Sequence, residues 1–185
     1  MAATESKMIS LGSEAPDFSL SNGIDNKFYS LSDLKGKNGT LILFICNHCP
    51  YVIHIIKHFV SFSKKLIKNQ VGVIAISSND IINYPEDSPS NMLKFSKKYN
   101  FSFPYLFDES QDVAKKYDAA CTPDFYIFDE VKELVYRGQL DDSRPGNGIP
   151  VTGSDVRKAL ESIMNGEAVN PNQKPSIGCN IKWIS

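Results

Sequence analysis

Four cysteines, Cys46, Cys49, Cys121 and Cys179, are the residues of this chain best able to do covalent chemistry. Two of them stand in the run Cys46-Asn47-His48-Cys49-Pro50. The thiolate is the nucleophilic form of cysteine, so whatever stabilises negative charge raises reactivity. A helix N-terminus does this through its free N–H groups and the positive end of its dipole. Pro50 suits a first helical turn, and Val52, Ile55, Ile56, Phe59, Phe62 and Leu66 behind it fall on one helical stripe. The helix therefore starts at Pro50 and puts Cys49 at or next to its N-cap. Cys46 lies where the preceding apolar run ends. That placement makes Cys49 the low-pKa nucleophile and Cys46 its resolving partner. His48, between them, adds charge stabilisation when protonated.

The same thiolates are good metal ligands, and His54 and His58 follow at helical spacing, giving Cys-x2-Cys-x4-His-x3-His. A zinc finger needs an arc of roughly a dozen residues between its two pairs. Here the arc is too short, and a straight helix carries His58 about 13 Å beyond Cys49. No metal and no cofactor is expected, and His54 and His58 read as a solvated or half-buried helix face. The bland alternative for Cys46 and Cys49 is two inert buried thiols, but a Cys-Pro helix start is a poor place for inert thiols.

The elements that must hold this motif are legible around it. Residues 40–45 form a continuous apolar run, as a buried parallel strand does, and residues 71–76 form a second. With the helix between them they make a βαβ unit and a parallel pair. Upstream, residues 18–20 and 28–31 flank a turn-rich stretch and read as a β-hairpin, and residues 32–36 read as one helical turn. Downstream, residues 81–90 read as a loop, 91–99 and 110–117 as helices, and 103–107 as a short edge strand. Residues 124–128 and 134–139 read as two strands joined by a tight turn. Ser154 is expected to cap a last helix that Gly166 ends.

The chain of 185 residues, 42% of them apolar and 22% charged, has the composition of one soluble globular domain. Residues 1–10 read as a flexible arm, 11–170 as the domain, and 171–185 as a tail packed on it. That tail has no periodicity, yet Ile177, Cys179, Ile181, Trp183 and Ile184 make it apolar enough to dock. A net charge of -1 gives no bulk attraction to nucleic acid or anionic lipid. No apolar run is long enough to span a bilayer, and the polar start has no signal-peptide core. Neither nucleic acid nor membrane is an expected partner, and the expected location is cytoplasmic. The low cysteine density argues against a disulfide-stapled scaffold.

Longer motifs then carry a resemblance. Gly12-Ser13-Glu14-Ala15-Pro16-Asp17-Phe18 and Ser30-Leu31-Ser32-Asp33-Leu34-Lys35-Gly36-Lys37 resemble the opening of the alkyl hydroperoxide reductase/thiol-specific antioxidant family of peroxiredoxins. Cys121-Thr122-Pro123 with Phe125-Tyr126-Ile127-Phe128-Asp129 resembles the cis-proline strand of thioredoxins. More narrowly, the chain is similar to a peroxiredoxin-like branch with a Cys-x-x-Cys-Pro site, which the stretches 136–145 and 178–183 also resemble. The resemblance implies an α/β fold: a thioredoxin-like three-layer α/β/α sandwich with a mixed central sheet, an N-terminal hairpin extension and a docked C-terminal tail.

The departures from that pattern shape the functional expectation. Peroxiredoxins have Thr-x-x-Cys-Pro, and aligned on Cys49-Pro50 their Thr falls on Cys46. A group that touches the sulfur as Thr should reach it as Cys, so a reversed pair with Cys49 as nucleophile is expected. The peroxidatic arginine falls on Pro123, and the buried acid of thioredoxin falls on Leu43. The leading expectation is a thiol–disulfide oxidoreductase with a reversible Cys46–Cys49 pair. Its rivals are a thiol-dependent peroxidase and a non-catalytic, metal-binding or inert thioredoxin-fold module. Supporting residues are His48, Pro50, Thr122, Pro123 and Cys121, the last reading equally well as a small apolar residue under the site. Arg144, in a loop expected at the active-site end, is the nearest replacement for the missing arginine, against the bland reading of an ion pair with Asp141 or Asp142. Cys179 is a second candidate resolving thiol, although tail packing is the favoured reading for it. The implied partners are a thioredoxin-type or small-thiol reductant and a peroxide or disulfide substrate.

Overall fold

The computed structural model describes residues 3–185. Along the chain the elements are β1 (Ala3–Glu5), β2 (Ser19–Asn22), β3 (Phe28–Ser30), α1 (Leu31–Leu34), β4 (Thr40–Phe44), α2 (Pro50–Lys68) and β5 (Gly72–Ser77). A 3-10 turn (Pro85–Asp87) leads into α3 (Pro89–Tyr99), β6 (Tyr105–Phe107), α4 (Asp112–Lys116), β7 (Cys121–Thr122) and β8 (Asp124–Phe128). β9 (Leu134–Gly138), α5 (Ser154–Met164) and β10 (Ile177–Asn180) complete it.

The main sheet has the order β3-β2-β6-β5-β4-β8-β9. β4, β5 and β6 run parallel, and β8, β9 and the β2–β3 hairpin are antiparallel to their neighbours. Both faces of β4 are covered, which is why its sequence is apolar without alternation. Leu41, Leu43 and Ile45 face the core shared with Val52, Ile55, Ile56 and Phe59 of α2. Ile42 and Phe44 face the opposite core with Val113, Ala114 and Tyr117. The result is a mixed sheet between two helical layers, as the resemblance implied. No helix is long and apolar enough to cross a membrane among the described residues.

A second sheet, β1-β10-β7, is antiparallel throughout. It corrects one expectation, since residues 3–5 of the supposed arm are paired with β10. The tail docks as expected, as the middle strand of that sheet. Met1 and Ala2, which begin the arm, lie outside the described residues. β6 is also no edge strand, because the hairpin docks on it through Ser21↔Phe107 and Asn22↔Leu106. α5 is capped by Gly153, at φ 68, so Ser154 is its first residue and not its cap.

Candidate functional site

Cys49 is the N-cap of α2 and Pro50 opens the helix, while Cys46 sits just beyond the C-terminal end of β4. Above them lies β7, whose Thr122–Pro123 bond is cis. Cys46 Sγ is 3.4 Å from Thr122 Oγ1, and Cys49 Sγ is 3.2 Å from the Thr122 carbonyl oxygen. β10 brings the third sulfur: Cys179 Sγ is 2.8 Å from Cys49 Sγ. Gly178 makes this approach feasible, because a Cβ there would overlap the Thr122 carbonyl. All four cysteines are free and buried, Cys49 with 0% of its surface exposed.

The three clustered sulfurs divide one charge unequally. The Cys49 thiol is brought down to about 5, first by a hydrogen bond from the Cys46 thiol, against burial, and then by one from Cys179 and by the Val52 N–H. The Cys46 thiol is raised well above its ordinary range by that same hydrogen bond, by burial and by the charge of Asp87. Cys179 is pushed up to about 12 by burial and by its hydrogen bond to Cys49. Cys49 is therefore the anion and its two neighbours are the donors. The Thr122 carbonyl accepts from Cys49 only while that thiol keeps its proton. Cys121 is raised by burial, and its S–H points to the Pro123 carbonyl at 3.8 Å. It joins no other thiol, which favours the packing reading over the redox one.

His48 lies close to Cys46. Its Nδ1 lies 2.9 Å from Asp87 Oδ2, within reach of a charge-assisted hydrogen bond, and its buried Nε2 has no hydrogen-bond partner. The ring stacks on Tyr84, and the Asp87 carboxylate raises its pKa against the opposing effect of burial. Asp87 is fully buried. Its Oδ1 accepts from the Asn47 N–H at 2.7 Å and its Oδ2 from Asn79 Nδ2 at 2.7 Å. One atom each of Cys46, His48 and Asp87 lies within 4.8 Å of the others. Sequence reasoning missed Asp87, since it comes from a loop far along the chain and no spacing ties it to Cys46.

The remaining candidates fall away from the sulfurs. His54 Nε2 meets Ser143 Oγ at 2.7 Å, and neither His54 nor His58 joins a cluster of metal-binding side chains among the described residues. The Arg144 guanidinium donates to the carbonyls of Asp141 and Ser143 and to Gln139 Oε1, holding its own loop. It lines a crevice with Tyr51 and Pro123 but makes no hydrogen bond or ion pair to Cys49. The expected carboxylate partners are corrected too: Asp142 pairs with Lys174, and the Asp141 carboxylate accepts from Ser143, Thr152 and Gly153 N–H groups.

A protein-family model described as the AhpC/TSA family matches residues 11–137, a span from before β2 into β9 that includes Cys46, Cys49 and Thr122. The chain belongs to the AhpC/TSA family. Cys179 and β10 lie beyond the part that the family model matches. The thiol-disulfide oxidoreductase ResA of Geobacillus thermodenitrificans is 24% identical over 163 residues, 86% of this chain and 82% of that protein. The crystal structure of an uncharacterized conserved protein from Geobacillus kaustophilus superposes with a TM-score of 0.98 at 54% identity, over 100% of this chain and 97% of that one. Peroxidoxin BcpB from Mycobacterium tuberculosis superposes with a TM-score of 0.63 at 16% identity, over 85% of this chain and 98% of that one, and shows a shared thioredoxin-like fold.

Proposed function

We propose that this AhpC/TSA-family protein is a thiol–disulfide oxidoreductase in which Cys49 attacks and Cys46 resolves. The observation that carries the reading is the inequality of the two thiols: Cys49, at the helix N-terminus, is brought down to about 5, while Cys46 is held protonated beside it. The Cys49 thiolate attacks a substrate disulfide, forms a mixed disulfide and releases one substrate thiolate, which takes a proton from solvent. Cys46 then loses its proton and attacks Cys49 Sγ, forming the Cys46–Cys49 bond and releasing the second substrate thiol. Two electrons pass from the dithiol to the substrate. A thioredoxin-type or small-thiol reductant restores the pair, and the cytoplasm is the proposed location. Because Cys49 is fully covered, the strand carrying Cys179 has to move aside for substrate.

One observation favours a second reading. The family includes peroxide reductases by resemblance, and a thiolate at a Cys-Pro helix start also suits attack on a peroxide oxygen. Against it stand Pro123 at the position of the peroxidatic arginine and an Arg144 engaged in its own loop. The 2.8 Å approach of Cys179 supports a role as alternative resolving thiol in either reading.

A coupled assay separates them. Purified protein with a thioredoxin-type reductant should turn over a model disulfide faster than hydrogen peroxide or an organic hydroperoxide. Non-reducing peptide mapping after one turnover should find Cys46 joined to Cys49. Peroxide turnover far above disulfide turnover, or Cys46 left free with Cys49 oxidised, would sink the oxidoreductase reading.

A further inference from the structure

We propose that His48 is the proton acceptor for Cys46 in the resolving step, with Asp87 as the residue that positions and charges it. The inference rests on the oxidoreductase reading above and adds the acid–base group that this reading lacks. Cys46 must surrender a proton to attack, yet it is buried, with 1% of its surface exposed, and held in the thiol form. A base beside it, supplied by the protein, gives that proton a short route out. The structure places one candidate there. A His48 ring nitrogen and an Asp87 carboxylate oxygen lie within 4.8 Å of Cys46 Sγ, one side-chain adjustment or one water from hydrogen-bond reach.

Nδ1 of His48 is held by the Asp87 carboxylate at 2.9 Å, while the buried Nε2 has no hydrogen-bond partner, an arrangement that costs free energy in a merely structural histidine. Asp87 is unsuited to take the proton alone, because its oxygens are already engaged by the Asn47 N–H, Asn79 Nδ2 and the His48 contact. Those same bonds fix it rigidly, so it can hold the imidazole and stabilise an imidazolium. The groups facing His48 are Asp87 and Glu86 of the 3-10 turn, which favour the charged ring, Lys182 of the tail, which opposes it, and the stacked Tyr84. In balance, the Cys46 S–H bond breaks and its proton goes to His48. The electron pair forms the Cys46–Cys49 bond, the Cys49–substrate S–S bond breaks, and the substrate leaves as a thiolate. His48 then returns the proton to that thiolate or to solvent.

The test follows single turnover of reduced Cys179→Ser protein with 5,5′-dithiobis(2-nitrobenzoate). The first thionitrobenzoate released reports attack by Cys49, and the second reports resolution by Cys46. The second rate should rise with pH through one midpoint above the ordinary histidine value and then level off. That midpoint should coincide with the NMR titration of the His48 ring. In His48→Gln the second rate should fall by about 10²-fold near neutral pH and climb roughly tenfold per pH unit without levelling, as a reaction first-order in hydroxide does. In Asp87→Asn the midpoint should move down, since the raising carboxylate is gone, whereas a purely structural role would slow the step without moving it. An unchanged pH profile in His48→Gln would overturn the inference and leave the oxidoreductase reading intact. Absence of any second release would overturn both. If His48→Gln does not fold, the wild-type comparison still decides: a kinetic midpoint that differs from the His48 titration refutes the proposal.

Discussion

Cys49 is reactive through its neighbours more than through its helix. Its thiolate accepts first from Cys46, while burial works against it. Hydrogen bonds to a charged group are worth about 1.5–3 kcal/mol, which is about one to two pKa units. Cys46→Ala should therefore raise the Cys49 midpoint by about that amount, and Cys179→Ala should raise it by less. The measurement is alkylation rate against pH. In the wild type the rate should climb through a midpoint near 5 and be flat above pH 7, because the thiolate is by then the dominant form. A Cys49 midpoint that stays put in Cys46→Ala would show that the helix terminus alone sets it. The Cys-x-x-Cys-Pro spacing made Cys49 and Cys46 legible, since both their elements are local in sequence. Asp87 was not legible, because its contact to the Asn47 N–H spans 40 residues and depends on how a loop folds over β4 and β5.

At the scale of elements, the site is a helix N-terminus roofed by a small sheet. The βαβ unit could be read from apolar runs and one proline, as local patterning allows. The roof could not. β10 is a short strand without alternation, and it exists because β1 and β7 each supply a pairing edge from distant parts of the chain. β6 reads as an edge strand from sequence for the same reason, since its partner β2 comes from a distant part of the chain. Gly178 is the point at which the roof touches the site. Its backbone lies so close to Thr122 that any side chain must push β10 away. Gly178→Ala should cost about 1–3 kcal/mol, as overpacking does, and should separate Cys179 from Cys49. Two readings check this together: a lower denaturation midpoint, and faster alkylation of Cys49 above pH 7, where its charge state no longer limits the rate. Loss of stability with no gain in Cys49 reactivity would mean that something other than β10 shuts the site.

At the scale of the whole molecule, oxidation should be felt in the tail. Cys49 can form a disulfide with only one partner at a time. In the dithiol state its thiolate accepts from Cys179 and so helps hold β10 down. When Cys49 bonds to Cys46, that charge disappears and Cys179 loses a charge-assisted hydrogen bond of about 1.5–3 kcal/mol. The far end of the tail has separate anchors. The Lys182 carbonyl accepts from the Asp80 N–H and from Gln111 Nε2, Asn79 Oδ1 accepts from the Lys182 N–H, and Gln111 Oε1 accepts from the Ile184 N–H. None of these involves sulfur. Residues 177–180 should therefore loosen on oxidation while residues 182–184 stay fixed. Amide exchange of the two redox states tests the point by mass spectrometry, with short peptides that divide the tail near Ile181. Exchange over 177–180 should be about ten- to a hundredfold faster in the Cys46–Cys49 form, the ratio that this free energy sets. If oxidation instead joins Cys49 to Cys179, the same amides should become slower, because a covalent bond then pins β10 to α2. Identical exchange in both states would mean that the Cys179 contact contributes nothing to holding the roof, and that β10 is kept in place by its two neighbouring strands alone.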